Sequence, residues 1–342
     1  MRFFFVILFL CLAAFAQSPP TAESLRGASA VSHDIAWLSG THGTYLRTTD
    51  AGHTWHTAQV PGAEALDFRA VVAFSADDAF LMSSGTGDQA RIYHTLDAGQ
   101  HWNLQFTATN PKSFFDSMIF WDRTHGIVVG DPIPDDPNKN DSKLHFELEV
   151  TDDGGNWHRI PPEKLPEAIA GEGAFAASNT CLAISGANLW FATGGPVARV
   201  FHSPDRGQTW QVVDTPIIHG PASAGIFSIA FRDALHGVIA GGDYKHPNQD
   251  GPNLAFTEDG GKSWALSPIH PQVFFTSVAY DRKDANRVLL AADDFLLDFR
   301  PPSNPRRINS PKKSNMKFNA ITPYPDGGVL AIGPKGSILS LP

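Results

Sequence analysis

Two cysteines in 342 residues, Cys11 and Cys181, exclude a disulfide-stapled scaffold and any cysteine-rich metal or cluster site. Charged residues are scarce at 18%, which argues against long solvated surface helices and against a disordered polyelectrolyte. Lys and Arg together number 26 against 35 Asp and Glu, a net charge of −9, and no concentrated basic face is visible, so nucleic acid is not an expected partner. The one basic cluster, Arg306-Arg307 with Lys312-Lys313, lies in a Pro/Ser/Asn-rich stretch and reads as a solvated loop. No Gly-x-Gly-x-x-Gly follows a strand pattern, and no Cys-x-x-Cys or His-x-x-x-His occurs. These absences remove dinucleotide, redox and zinc-site chemistry, and neither a cofactor nor a metal is expected. His53, His56, His101 and His158 fall in or beside turns instead.

Past the N-terminus, no apolar run approaches the roughly 20 residues of a membrane-spanning helix. The N-terminus itself reads as an export signal. Arg2 is its positive region, Phe3–Ala14 its apolar core, and Ala14-Phe15-Ala16 a small-x-small cleavage site before Gln17. Leu10 before Cys11 does not fit a lipoprotein signal. Residues 1–16 are therefore expected to be removed, leaving a mature chain of residues 17–342 without a membrane anchor, periplasmic or extracellular and monomeric. Cys181, in the apolar run Cys181-Leu182-Ala183-Ile184, is expected to be a buried, inert thiol.

What the chain has in plenty is Gly (30), Pro (26) and hydrophobic residues (42%), the mixture of short strands joined by tight turns. A motif, Ser/Thr-x-Asp-x-Gly-x-x-Trp, repeats through it. Full copies run Thr48–Trp55, Thr95–Trp102, Ser203–Trp210 and Thr257–Trp264, and a copy one residue short runs Thr151–Trp157. Their aspartates, Asp50, Asp97, Asp153, Asp205 and Asp259, recur at intervals of 47, 56, 52 and 54 residues. Such a period marks one supersecondary unit used repeatedly. The hydroxyl and carboxylate can bond nearby backbone N–H groups, Gly supplies a positive-φ position, and Trp buries a large ring. The five aspartates are thus read as structural staples between the third and fourth strands of each unit. Around each box lies a four-strand pattern, as in Phe68–Phe74, Ala79–Ser83, Arg91–Thr95 and His101–Phe106. Two further units keep strands but lack the box, giving seven. The seventh is short of its outermost strand, and the segment near Pro20–Leu25 is offered as the missing one. The fold expected is all-β: a single propeller of seven four-stranded blades, six or eight remaining open.

The boxes, together with Phe120-Trp121-Asp122-Arg123-Thr124-His125-Gly126-Ile127, Leu189-Trp190-Phe191-Ala192-Thr193-Gly194-Gly195 and Gly225-Ile226-Phe227-Ser228-Ile229-Ala230-Phe231-Arg232, resemble the BNR/Asp-box superfamily of sialidases and sortilin-type receptors. Within it the chain looks most like the seven-bladed photosystem II stability/assembly factor-like propellers. The resemblance implies a non-enzymatic binding scaffold or assembly factor of the bacterial cell envelope, with a protein or envelope complex as partner ahead of a glycan.

Two places are candidate binding sites. Two long loops lie on the face away from the boxes, Asp131–Asp141 and Asp243–Asn253, the second opening Asp243-Tyr244-Lys245-His246. The other place is the mouth of the central channel. There Arg26 and Arg69 align where two successive first strands begin, Phe115 and Phe275 fill that place in later units, and Asp116 lies next door. Two converging arginines can hold a carboxylate or phosphate, and pairing with Asp67, Asp116 or a channel carbonyl is the competing use for them. No catalytic residue is assigned. The alternative is a sialidase-like glycoside hydrolase acting on an extracellular glycan. Against it, the Phe-Arg-Ile-Pro signature before the first box is missing, and Tyr45 and Tyr93 fall on strands leading into boxes.

Overall fold

The computed structural model describes residues 19–341, except positions 137, 140, 270, 302–304 and 310–315. The export signal with its cleavage site, Cys11, and Lys312-Lys313 lie outside the described residues. Seven antiparallel sheets follow one another along the chain, each with strands in sequence order, six of four strands and the last of three. Among the described residues helix is confined to two single turns, Gly87–Gln89 and Pro162–Lys164. The first strand of every blade packs against the first strand of the next, and that of blade 7 (Ala320–Pro323) against that of blade 1 (Leu25–Ala30), so the blades close into a ring around a central channel.

Each neighbouring pair of blades buries its own apolar cluster, seven in all, including the one joining blade 7 to blade 1. The box tryptophans follow a rule within this arrangement: each inserts into the interface with the preceding blade. Trp102 of blade 2 packs on Trp37 and Tyr45 of blade 1, with ring centroids 6.2 and 5.1 Å away. Trp157, Trp210 and Trp264 do likewise for blades 3, 4 and 5, and Trp55 of blade 1 reaches the closing interface with blade 7. The motif thus stitches blade to blade as well as strand to strand.

Its hydrogen bonds run as the residue types suggest. In the first copy Thr48 Oγ1 donates to Asp50 Oδ1 (2.8 Å) and accepts from Gly52 N (3.0 Å). Asp50 also accepts from the backbone N–H and hydroxyl of Thr54 (2.8 and 2.6 Å). Ala51 and Gly52 both have positive φ, 58° and 81°, and the full copies in blades 2, 4 and 5 repeat the pair. In the short copy Gly154 N bonds Thr151 Oγ1 one residue earlier, and Gly154 alone has positive φ. The residue missing from blade 3 is therefore the first of the left-handed pair.

Two outer-edge expectations need correcting. Arg306–Asn309, read as a solvated loop, is the fourth strand of blade 6. Its charges suit an edge: Arg306 pairs with Asp298 (3.1 Å), and the Arg307 guanidinium lies 3.8 Å from the Phe295 ring centre. Blade 7 has no fourth strand among the described residues, and the segment before Leu25 does not supply one. Pro19 and Pro20 have no N–H to give a ladder. That segment instead crosses the loop face, meeting the Gly336 turn through Gly336 N–H to Glu23 O (2.8 Å).

Candidate functional site

The inner strands carry the geometry of the channel mouth. In five blades a bulge interrupts the pairing of first and second strands at the same place, leaving one residue out of register. Arg26 is that residue between the pairs Leu25–Gly40 and Gly27–Ser39, and Arg69 between Phe68–Ser83 and Ala70–Met82. Asp116, Phe227 and Thr276 occupy the position in blades 3, 5 and 6. A bulge re-aims the side chain it displaces. The true counterparts of the arginines are therefore Asp116 and Thr276, while Phe115 and Phe275 sit one residue earlier in the core, both fully buried.

Arg69 is committed within the protein. Its Nε donates to Asp67 Oδ2 (2.8 Å) and its Nη1 to the carbonyl of Ala176 (2.9 Å). The Ala176 N–H in turn serves Asp116. Burial, with Asp131 nearby, holds the Asp116 carboxyl well above the usual carboxylate range despite Arg69. Burial likewise raises Asp131 to about 6, while the Ala174 N–H, 3.3 Å from its Oδ1, pulls the other way. Arg26 differs from Arg69. It makes no hydrogen bond among the described residues, and its Nε is buried without a partner. Burial and the neighbouring Arg69 charge lower its pKa, opposed by Asp67.

Ala174 and Ala176 belong to a strap, residues 173–180, that lies across the channel. Phe175 stacks on Phe227 of blade 5 (3.8 Å between ring centres), and Ser178 donates to Thr276 O of blade 6 (3.0 Å). Asn179, with φ of 59°, accepts from Met118 N and Ser117 Oγ of blade 3 (2.8 and 2.9 Å). Thr180 O accepts from Ile229 N of blade 5 (2.8 Å). The strap thus touches blades 2, 3, 5 and 6 and stops the channel. On its far side, toward the boxes, a cavity of about 450 Å³ is lined by all seven blades with Ser178, Asn179 and Thr180 as its floor. Sequence reasoning missed the strap. The available signal was the long interval between Arg159, which ends blade 3, and Leu182, which opens blade 4.

The two long loops take different forms. Asp131–Pro134 is strand, pairing with Leu144–His145 and Phe146 beyond the end of the inner strand, so blade 3 projects a two-stranded arm from the disc. Pro132 and Pro134 are tolerated because that stretch is an edge. Asp243 is buried and closes a turn, accepting from Lys245 N (2.9 Å) and pairing with His246 Nδ1 (2.8 Å). Tyr244 is half exposed and meets Phe227 edge-on, 6.2 Å between centres, while Lys245 and His246 face solvent. The structure gathers Arg26, Arg69, Asp116 and Asp131 at the mouth and joins the 243–246 turn to it through Phe227. The five box aspartates are all in turns between third and fourth strands, at the opposite face. Among the described residues no group of three or more His, Cys, Asp or Glu is placed to hold a metal. Cys181 is fully buried, which pushes its thiol pKa up.

Residues 19–113, which span blades 1 and 2, match the family described as photosynthesis system II assembly factor YCF48. No curated protein sequence matches the chain. The fold matches that of a solved structure of YCF48 bound to D1 peptide, with TM-score 0.66, 17% identity and 95% of each chain covered. It also matches YCF48 from Cyanidioschyzon merolae (TM-score 0.63, 18% identity, 94% of this chain and 96% of that one). A virginiamycin B lyase from Staphylococcus aureus shares the fold at 9% identity (TM-score 0.66, 94% and 96% covered). The seven-bladed architecture and the resemblance to photosystem II assembly-factor propellers read from the boxes are borne out.

Proposed function

We propose that this propeller is a protein-binding scaffold of assembly-factor type, exported to the bacterial cell envelope, whose partner docks on the face carrying the blade 3 arm and the strapped channel mouth. The observation that carries the reading is Arg26, a guanidinium at a bulge that makes no hydrogen bond among the described residues, beside an Arg69 bonded through Nε and Nη1. A carboxylate from a partner's acidic side chain or chain end supplies the missing acceptor. The solved complex of YCF48 with a D1 peptide supports peptide recognition by a propeller of this fold, and the Arg2–Ala16 leader supports export. Asp116 and Asp131, two carboxyls with raised proton affinity, are the feature that favours a glycoside hydrolase as a second reading. Against that reading, backbone N–H groups of Ala174 and Ala176 in the strap already serve Asp131 and Asp116.

The test is crosslinking of tagged residues 17–342 in the native envelope, comparing wild type with Arg26→Ala. Because Arg26 makes no hydrogen bond among the described residues, the substitution is expected to leave the fold intact, whereas Arg69→Ala would also loosen the strap. One stoichiometric protein, crosslinked to residues 131–144 or 243–253 and lost in Arg26→Ala, is the expected result. Recovery of polysaccharide alone, or a partner indifferent to Arg26, would overturn it.

A further inference from the structure

Away from the mouth, between the outer strands of blades 2 and 3, lies a cleft of about 560 Å³, within the size range of small-ligand sites. Phe106, Lys112, Glu147, Glu149, Trp157 and Arg159 line it. Glu147 and Glu149 are alternate residues of one strand (Leu144–Thr151), so both project from the same face, and each is only 4% exposed. Glu147 accepts from Ser113 Oγ (2.9 Å) through Oε1, and its Oε2 is buried without a partner. Glu149 receives no hydrogen bond among the described residues, although buried carboxyls are normally satisfied. Arg159, cross-strand from Glu149, leaves Nε and Nη2 unpaired. Unmet acceptors and unmet donors therefore share one concave site.

The charge distribution selects among ligands. An anion would face two carboxyls, and a cation would face Arg159, with His158 and Lys112 on the rim. A neutral molecule bearing adjacent hydroxyls, each both donor and acceptor, can serve both sets of groups, with its C–H surface against Phe106 and Trp157. We propose that this inter-blade cleft is a binding site for a neutral saccharide, held by Glu149, Glu147 and Arg159. Burial and then Glu147 raise Glu149 to about 8, against the pull of Arg159, so at neutral pH it keeps a proton and can donate as well as accept. The ionisable groups around it are Glu147 on its own strand, Arg159 on the outer strand with His158 beside it at the rim, and Lys112 from the connection between the blades. None of the residues lining the cleft is among those assigned to protein docking.

Calorimetric titration of the mature chain with chitobiose, cellobiose and maltose at millimolar concentration tests this. At least one disaccharide is expected to bind. Glu149→Ala should weaken it about tenfold, the loss of one to two hydrogen bonds. Glu149→Gln, which stays neutral and still donates, should bind like wild type at neutral pH and keep binding above about pH 8, where wild type weakens. Binding of none of the three, or equal binding by Glu149→Ala and wild type, overturns the proposal, as does tri-lysine binding in their place. Arg26→Ala should leave saccharide binding unchanged, which separates failure here from failure of the docking-face reading.

Discussion

Carboxyl groups behave in opposite ways at two kinds of position in this protein. The box aspartates are at least partly exposed and hold their protons weakly. Hydrogen bonds from Thr54 bring Asp50 to about 2, and those from His101 do the same for Asp97. Glu149 is buried with no donor and rises to about 8 from an ordinary 4.5. For a raised carboxyl the unfolded chain gives up its proton first, so stability falls as pH climbs from about 4.5 to about 8 and is flat above. Glu149→Gln removes that penalty. Urea unfolding should find the variant and wild type alike near pH 4, and the variant more stable by about 3 kcal/mol at pH 7. Equal stability at both would mean that Glu149 is not proton-bound in the native state. Residue chemistry of the box kind is legible in a sequence because the staple demands fixed residue types at fixed spacing. The Glu147–Glu149–Arg159 cleft is not, since it needs two blades to be set side by side.

Among the elements, blades announce themselves and the strap does not. Alternating apolar runs bounded by Gly and Asp located the strands of blade 2 to within about two residues, and the boxes located the hairpins. The strap is anchored largely through backbone atoms, its own Ala176 carbonyl and, far away in sequence, the Thr276 carbonyl and the Met118 N–H, and backbone atoms leave no sequence signature. The Arg306–Asn309 strand was hidden for a different reason, since an edge strand tolerates the charges that mark a loop. Asn179 ties the strap to blade 3 through two hydrogen bonds to one side-chain oxygen. Asn179→Ala removes the acceptor for Met118 N–H and Ser117 and puts an unfavourable residue at φ 59°. A cost of about 2–3 kcal/mol is expected, with amide exchange accelerated chiefly across 173–180 and the facing inner strands. Uniformly accelerated exchange over the whole ring would contradict a locally seated strap.

For the whole molecule, closure is the issue that composition raised, because no disulfide joins the ends. The ring closes instead by packing Leu25, Ala36, Leu38 and Leu46 against Ala320, Tyr324, Leu330 and Ile332. Asn319 adds a clasp, donating to Leu25 O (2.7 Å) and Ser24 Oγ (3.2 Å). The segment near Pro20–Leu25 was expected to help close the ring as an outer strand. It does so as a crossing over the loop face and as the start of the innermost strand. Asn319→Ala should lower stability by about 1–2 kcal/mol while denaturant unfolding stays a single transition, since every blade is held on both sides. Two separated transitions would show that the blades unfold independently of the clasp.

The strap turns what would have been a tunnel into two shallow bowls set back to back on a common base. Nothing can be threaded through the disc, and a guest in one bowl does not exclude a guest in the other. The base is only one chain thick, with Ala176 turned to the arginine side and Asn179 forming the opposite floor. Whatever loosens Arg69 from Ala176 is therefore felt a few residues away by anything resting in the other bowl.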